Sequence, residues 1–449
     1  MSEPHPPKKS RWPRAGLMLL VGVMLLLAGG VLSVWWPYHR EQLAVAVIDR
    51  LGGDVVDTEV GPEPLADLIG EEYQRLFSGV CIVDLDDTDV SDSDLALLHD
   101  LRYLEVLWLN NTPITDAGLW HIGGMTELDQ LYLDNTPVSD AGLAKIQELT
   151  QLTCLSLENT RVTDAGIKYL HRAKGMEYLV FDGTQISDAG LKEIKRFDKL
   201  NTLTLTNTKI SDAGLEHLQD LTNLQYLYLG QTDVEGTGLA HLRRLTSLTN
   251  LGLSETATNN AALSKISIFT SLEYLDLSKT QITGSGLSRL RSLTNLTSLI
   301  LDGIPVDDAE LKQLDVLTRL EWLSLGDTQI GDNGLKQIAA LPALEYLNLQ
   351  NTKVTDAGLP HLAGLKDLSD LDLSETQITD EGLESLLGLS NLNSLSLNGT
   401  QVTDAGVERL LKLPNLFQLS VEETQVTPGG LKKNDENTRR SFEADFSFP

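Results

Sequence analysis

The chain has 449 residues, enough for two or three ordinary domains or for one long array of repeats. Lysine and arginine together number 35 against 64 aspartates and glutamates, which gives a net charge of −29. That balance argues against nucleic acid as a ligand, because nucleic-acid-binding proteins place basic stripes against phosphates. It favours a protein partner that is neutral or basic.

The N-terminus combines a basic tail, residues 1–14, with an uncharged apolar run of 22 residues, residues 15–36. As a helix this run extends roughly 33 Å, which matches the core of a bilayer. Trp12 stands at one end of the run and Trp35 and Tyr38 at the other, where interfacial aromatics are expected. We therefore expect a single-pass membrane helix with a cytoplasmic N-terminus and all later residues outside, periplasmic or extracellular.

A cleaved signal peptide is the alternative interpretation of the same run. The run is longer than the apolar region of a typical signal peptide, and no clear small-x-small cleavage site follows it. An uncleaved anchor is therefore preferred, and cleavage stays open.

Residues 37–79 are interpreted as an N-terminal cap or linker, because a repeat array exposes apolar faces at its ends. Residues 39–51 are predicted to form an amphipathic helix that stops at a Gly-Gly pair, and residues 64–77 a second helix. The apolar positions of the first helix are Leu43, Val47, Ile48 and Leu51.

A repeat of 24 residues dominates the rest of the chain. Starting from Thr88, every twenty-fourth residue up to Thr424 is threonine, except Ile304, and no insertion or deletion interrupts the register. The fifteen positions define about 15 coils over residues 80–431. One coil cannot bury enough surface to fold alone, so stacked coils are expected.

Positions within a coil are counted as offsets from this threonine. Offsets 19 and 21 alternate as strand positions do, for example Leu347 and Leu349. Offsets 7, 10 and 13 are three apart, which favours a short helix, as at Leu359, Leu362 and Leu365. The sequence therefore predicts one short strand and one short helix in each coil.

Four polar or small positions recur around these elements. The threonine row predicts a hydroxyl ladder that satisfies backbone groups between neighbouring coils. Ser or Thr at offset 3 predicts a helix N-cap, and Asp at offset 4, present in eleven coils, predicts a carboxylate near a helix N-terminus. Gly at offset 6 is unfavourable inside a helix, which indicates close packing of adjacent coils.

The pattern Leu-x-x-Leu-x-Leu-x-x-Thr-x-Ile/Val-Thr/Ser-Asp-Ala-Gly-Leu resembles the leucine-rich repeats of large bacterial surface proteins, especially those abundant in planctomycetes. It is also similar to the cysteine-containing repeats of F-box proteins. The resemblance covers about residues 80–431 and implies an α/β solenoid, a horseshoe with a concave parallel β-sheet. It says little about function, because this scaffold serves many partners.

We find no sequence signature of an enzyme or of a cofactor site, such as a phosphate loop, a nucleophile elbow or a zinc motif. Cys81 and Cys154 lie three coils apart, about 15 Å, which is too far for a disulfide. Residues 84–94 are rich in aspartate but lack the glycine and glutamate of an EF-hand. A looser calcium site or a solvated acidic edge both remain open there, and no metal site is assigned.

The candidate binding surface is the outward face of the strands, offsets 18, 20 and 22. Aromatic residues at these offsets are Trp108, Tyr132, Tyr178, Tyr226, Tyr228, Tyr274, Trp322 and Tyr346. Acidic residues there are Asp84, Asp86, Asp134, Glu158, Asp182, Asp276, Asp302, Asp370, Asp372 and Glu422. No lysine or arginine occurs at these offsets from residue 82 to 422. Aromatic residues on an exposed sheet often anchor partners, although they also pack well across strands.

These features predict a non-enzymatic, membrane-anchored binding or scaffold protein whose partner contacts the concave face. A passive structural spacer without a specific ligand is the alternative. An F-box-like substrate-recognition role is third, because no F-box-like segment precedes the array. Residues 432–449 are interpreted either as a C-terminal cap, with Phe442, Phe446 and Phe448 folded over the last coil, or as a frayed tail.

Overall fold

A computed structural model describes Met24 and residues 36–59, 78–432 and 441–443. The chain divides into two units, Met1–Leu152 and Thr153–Pro449. The predicted membrane helix, apart from Met24 and Trp36, and the predicted helix at 64–77 lie outside the described residues. Among the residues that are described, no helix is long and apolar enough to cross a membrane.

The first unit contains a short antiparallel pair followed by parallel strands. Its strands are β1 (Asp54–Glu59), β2 (Ser78–Asp84), β3 (Val106–Trp108) and β4 (Gln130–Tyr132). Strand β1 is antiparallel to β2, and β2, β3 and β4 are parallel neighbours. The α-helices that follow β2, β3 and β4 are Leu95–Leu98, Asp116–Ile122 and Asp140–Leu143.

The second unit is a run of parallel strands, each hydrogen-bonded to the next. They are β5 (Cys154–Ser156), β6 (Tyr178–Val180), β7 (Thr202–Thr204), β8 (Tyr226–Tyr228), β9 (Asn250–Gly252), β10 (Tyr274–Asp276), β11 (Ser298–Ile300), β12 (Trp322–Ser324), β13 (Tyr346–Asn348), β14 (Asp370–Asp372), β15 (Ser394–Ser396), β16 (Gln418–Ser420) and β17 (Ser441–Glu443).

A short helix follows each of the strands β5 to β16. The α-helices are Asp164–Ile167, Asp188–Ile194, Asn260–Ile266, Asp332–Ile338, Asp404–Leu410 and Pro428–Lys432. The 3-10 helices are Lys168–Leu170, Gly214–Leu218, Gly238–Arg244, Gly284–Ser292, Leu311–Leu314, Leu359–Gly364 and Gly382–Gly388.

The strand registers confirm the 24-residue repeat. Leu203 pairs with Leu179 on one side and Leu227 on the other, each 24 residues away, and all three are fully buried. The helix leucines and isoleucines point into the same core, for example Leu191 and Ile194. Each coil therefore buries one face of its strand and one face of its helix against its neighbours, as the apolar offsets predict.

The predicted hydrogen-bond partner of the threonine row, a backbone group of the neighbouring coil, was wrong. Thr208 Oγ1 donates to the carbonyl oxygen of Leu205, three residues earlier in the same coil, at 2.5 Å. Asn207, which directly precedes Thr208, has a left-handed backbone with φ of 56°, which turns the chain so that the hydroxyl reaches that carbonyl. The row therefore closes each coil on itself and does not connect one coil to the next.

The aspartate row at offset 4 makes the connection between coils. Asp188 Oδ1 accepts from the backbone N of Ser211 at 2.8 Å, and its Oδ2 accepts from the Ser211 hydroxyl at 2.6 Å. The Ser211 hydroxyl in turn accepts from the backbone N of Ala213. The same pair of bonds recurs between Asp92 and Thr115, Asp116 and Ser139, Asp164 and Ser187, Asp332 and Thr355, Asp356 and Thr379, Asp380 and Thr403, and Asp404 and Thr427.

We call this pair of bonds the aspartate clamp. The N-cap prediction for offset 3 is confirmed, for example at Thr115 and Ser187. The predicted place of the aspartate near a helix N-terminus is also confirmed, as at Asp116 and Asp188, but its carboxylate accepts from an amide of the next coil and not of its own helix. One hydroxyl thus caps its own helix and holds the carboxylate of the preceding coil.

The glycine at offset 6 is required by the aspartate clamp. A Cβ built on Gly190 would lie 2.5 Å from Asp164 Oδ1, 2.9 Å from Ile186 Cγ2 and 3.0 Å from Ile167 Cδ1. Gly142, Gly358, Gly382 and Gly406 meet the clamp aspartate of the preceding coil in the same way. The close packing expected from the sequence is therefore observed.

Residues 36–51 are helical and lie against the first coils, in agreement with the helix predicted at 39–51. The buried side chains are Ala44 and Ile48, whereas Leu43 is 54% exposed, so the predicted apolar face was partly wrong. Glu41 Oε1 accepts from the backbone N of Val80 at 3.0 Å. Strand β1, which the sequence analysis did not predict, covers the edge of β2.

At the other end, β17 pairs in parallel with β16. The backbone of residues 441–443 thus adds a strand to the sheet, and both interpretations of the C-terminal stretch stay predictions. Phe446 and Phe448 lie outside the described residues.

Replacing Gly190 by Ala tests the packing requirement. Alanine favours an ordinary helix by about 1 kcal/mol over glycine, but here the added methyl must displace the clamp carboxylate, so we expect a loss of about 1–3 kcal/mol. The measurement is the thermal midpoint by circular dichroism. Gly364→Ala is the control, because a Cβ there meets no atom within 4 Å. Equal melting temperatures for the two variants would contradict the packing requirement.

Replacing Asp188 by Ala tests the clamp itself. The change leaves the amide and hydroxyl of Ser211 without their acceptor, which should cost about 1–3 kcal/mol. Asp188→Asn should cost less than Asp188→Ala, because Asn260 shows that an asparagine can accept from the next coil's amide through Oδ1 and donate from Nδ2 to its hydroxyl. Urea unfolding followed by circular dichroism measures both variants, and a larger loss for Asn than for Ala would refute this role.

Candidate protein-binding face of the strands

The parallel strands present their offsets 18 and 20 away from the core. In β12, for example, Leu323 is fully buried while Trp322 is 43% exposed. Tyr178 is exposed to the same extent, and the remaining predicted aromatics, Trp108, Tyr132, Tyr226, Tyr228, Tyr274 and Tyr346, are half-buried. All eight aromatic residues therefore stand on the outward strand face, where the alternation of the sequence places them.

The rings pair locally instead of forming one continuous stripe. In the first unit, Trp108 and Tyr132 make an edge contact with centroids 6.1 Å apart. In the second unit, Tyr228 and Tyr274 make a similar contact at 6.1 Å. The Tyr228 ring lies over Gly252, whose lack of a side chain leaves room for it. Burial, with the nearby Asp276 charge, raises the pKa of Tyr274 to about 12.

The closest ring pair is Trp322 and Tyr346. These residues are direct partners in the register of β12 and β13. Their centroids are 3.5 Å apart and their planes differ by 8°, so the rings are stacked face to face. The same column continues into Asp370, the register partner of Tyr346 on β14. A flat aromatic surface thus ends at a carboxylate.

Three carboxylates act on the Tyr346 hydroxyl. Burial raises the pKa of Tyr346, and the charges of Asp372, Asp302 and Asp370 raise it further. We call Trp322, Tyr346, Asp302, Asp370 and Asp372 the aromatic–acidic patch. Its rings and carboxylates have the chemistry to receive a cationic group.

Several of the predicted acidic residues also have bonds within the array. Asp302 accepts from the Ser324 hydroxyl and from the backbone N of Gly326, and burial raises its pKa. Asp182 accepts from the backbone N of Thr206, one coil later. Side chains at offset 22 thus help to join coils, which the sequence analysis missed.

The other predicted acidic residues of the strand face have different hydrogen-bond partners. Asp276 and Asp372 accept from the backbone amides of Ser278 and Ser374, two residues later. Glu158 Oε1 accepts from the side chain of the neighbouring Asn159. Asp134 stands at offset 22 with its backbone N bonded to Asn110. A role of these side chains in partner binding stays a prediction.

The acidic segment at residues 84–94 is used within the coils. Asp86 accepts from the backbone and side-chain amides of Asn110, and Asp92 belongs to a clamp. Among the described residues, no group of three or more His, Cys, Asp and Glu side chains is placed to hold a metal ion. Neither Cys81 nor Cys154 is part of a disulfide, and Cys81 Sγ donates to the carbonyl oxygen of Val56.

The comparisons agree with this architecture. A family model described as "Leucine Rich repeat" matches residues 270–290, 365–387 and 388–411. A leucine-rich-repeat protein of Leptospira interrogans has a similar structure, with a TM-score of 0.51 and 19% identity over 79% of this chain and 94% of that one. A search of curated proteins found no match.

Two internalins of Listeria monocytogenes were also found. Internalin F is 27% identical over 63% of this chain and 83% of its own, with a TM-score of 0.48. Internalin C2 is 33% identical over 47% of this chain and 83% of its own, with a TM-score of 0.39. Together, the family model, the Leptospira structure and the repeating coils show that the chain has the solenoid fold of leucine-rich repeats.

Proposed function

We propose that this protein binds a protein partner on its strand face and that the aromatic–acidic patch receives a cationic side chain of that partner. Leucine-rich-repeat proteins are typically interaction scaffolds, which supports a binding function. The observation that carries the proposal is the Trp322–Tyr346 stack, which ends at Asp370.

The chemistry of the patch favours arginine or lysine over other side chains. A guanidinium group can lie flat on a stacked ring and still donate hydrogen bonds to a carboxylate at the edge of the ring. Trp322 is 43% exposed, so its ring is accessible to a partner. The absence of lysine and arginine from the outward offsets leaves no internal cation to compete, and an acidic partner would be repelled.

We further propose that residues 15–36 anchor the protein in a membrane, with the array outside. The uncharged run and the basic tail before it support this arrangement. The resemblance of the repeat signature to planctomycete surface proteins supports the same location. A passive spacer would share this anchor but would not need a stacked ring pair beside carboxylates. A measurement of partner binding therefore distinguishes a binding protein from a passive spacer.

A peptide-binding measurement tests the strand-face proposal. The probe is a synthetic tetra-arginine peptide, measured by calorimetry with the purified protein. Trp322→Ala removes the ring and keeps every charge, so it should weaken binding about three- to thirtyfold, the range for exposed to desolvated cation–π contacts. Trp120→Ala is the control, because Trp120 is 67% exposed but lies on a helix.

The control separates the patch from general attraction to an acidic protein. If the Trp322 and Trp120 variants bind the peptide equally well, only diffuse charge is involved and the patch is not the site. A tetra-glutamate peptide should not bind to any of these proteins.

Limited proteolysis of intact cells tests the anchor. With an epitope tag added at the N-terminus, external protease should digest the array and leave the tag protected behind the membrane. Protection of the array would show the opposite topology. Release of the whole protein in soluble form would contradict the proposed anchor.

A further inference from the structure

A group of exposed basic residues lies on the helix side of the second unit, in a chain whose net charge is −29. We call it the basic patch: Lys168, Arg172, Lys192, Lys195, Arg196 and Lys199, all exposed. Lys168 and Lys192 occupy offset 8 of two neighbouring coils, and Arg172 and Arg196 occupy offset 12 of the same coils. Stacking therefore brings these cations side by side.

The electrostatics around His171 show that this positive charge acts locally. His171 Nε2 lies 3.1 Å from Glu193 Oε2, and Arg196 Nε lies 3.4 Å from the same carboxylate oxygen. Burial lowers the pKa of His171, and the charges of Arg196 and Lys174 lower it further in spite of Glu193. One carboxylate thus does not cancel the positive field of these coils.

We propose that a second copy of this chain docks its basic patch onto the aromatic–acidic patch of the first. This inference rests on the proposed function, since it names the partner of that site. The charge complementarity is direct: six exposed cations on one surface, and a stacked ring pair among three carboxylates on the other.

The two patches of one copy do not meet. Both lie in the second unit, but one stands on helices and the turns after them, and the other on strands. Within a coil the strand and the helix bury their inner faces against the same core, as Leu203 and Leu191 do, so their outer faces point away from each other. The contact is therefore between copies and joins two different surfaces, which produces rings or open chains of copies and not a symmetric dimer in which the same surface meets itself.

The test uses two separate variants of the full chain, purified in detergent: one reverses charges of the basic patch, and the other neutralises charges of the aromatic–acidic patch. The first variant carries Lys168→Glu and Lys192→Glu and keeps its aromatic–acidic patch. The second carries Asp370→Asn and Asp372→Asn, which gives its strand face no new cation to attract those glutamates, and keeps its basic patch. Each variant alone should self-associate at least about tenfold more weakly than the unmodified protein, because each has lost one of the two surfaces.

Mixing the two variants gives the decisive result. The first offers only an aromatic–acidic patch and the second only a basic patch, so the mixture should form one-to-one pairs and nothing larger. The unmodified protein should form species larger than a dimer as its concentration rises. Sedimentation velocity measures the size of all these assemblies. Salt at about 1 M should dissociate them into monomers, because it screens the charges of the two patches.

A matched control uses the same offset in two other neighbouring coils. Lys312→Glu and Lys336→Glu change two exposed lysines at offset 8 outside the basic patch, and this variant should associate as the unmodified protein does. Circular dichroism checks folding. If the asparagine variant does not fold, Trp322→Ala takes its place, because it removes one ring of the aromatic–acidic patch and no charge.

Several outcomes would overturn the docking. These are an unmodified protein that stays monomeric at about 100 µM, a control variant as weak as the first variant, or a mixture that does not pair. If the mixture fails to pair but tetra-arginine still binds in a Trp322-dependent manner, the docking is wrong and the proposed function stands. If peptide binding is absent as well, both are wrong.

Discussion

The bond between a clamp aspartate and the serine or threonine of the next coil is the interaction on which the array depends. It fixes the distance between helices, as at Asp188 and Ser211. It also explains two other features of the repeat. The carboxylate occupies the space where a side chain at offset 6 would stand, so glycine is needed there. The threonine row is not needed between coils and closes the turn of its own coil instead.

On the strand side of each coil, the outward residues are less constrained than the residues of the clamp. Its inner leucines are fixed by the core, but its outer positions need only tolerate a parallel neighbour, so their chemistry varies from coil to coil. In some coils, such as that of Thr202 and Thr204, small polar residues fill them. Around Trp322 and Tyr346, rings and carboxylates take their place. Specificity in such a scaffold therefore comes from a few outward residues, while the period that holds the scaffold together stays constant.

The period, the strand and helix in each coil and the outward position of the aromatic residues could all be predicted from the sequence, because burial imposes a regular pattern on apolar residues. The partners of polar residues could not. A row of threonines and a row of aspartates look equally suited to joining coils, and only the turn geometry at Asn207 shows that the hydroxyl reaches back within its own coil.

Contacts that do not follow the 24-residue repeat could not be predicted from the sequence either. Strand β1 has no repeat register, and the Trp322–Tyr346 stack depends on rotamers as well as on register.

The aspartate clamp has a direction, because a coil that contains it supplies the carboxylate to its successor and the hydroxyl to its predecessor, whereas Gly236, Asn260 and Gly284 replace the aspartate in three coils. A complete 24-residue unit of the clamped kind thus carries both halves of the junction at fixed positions. A gene that gained or lost whole units by unequal recombination would encode a protein whose new junctions are already complete, whereas a partial unit would separate a carboxylate from its hydroxyl. This accounts for an array from Thr88 to Thr424 that varies in its outward residues yet contains no insertion or deletion.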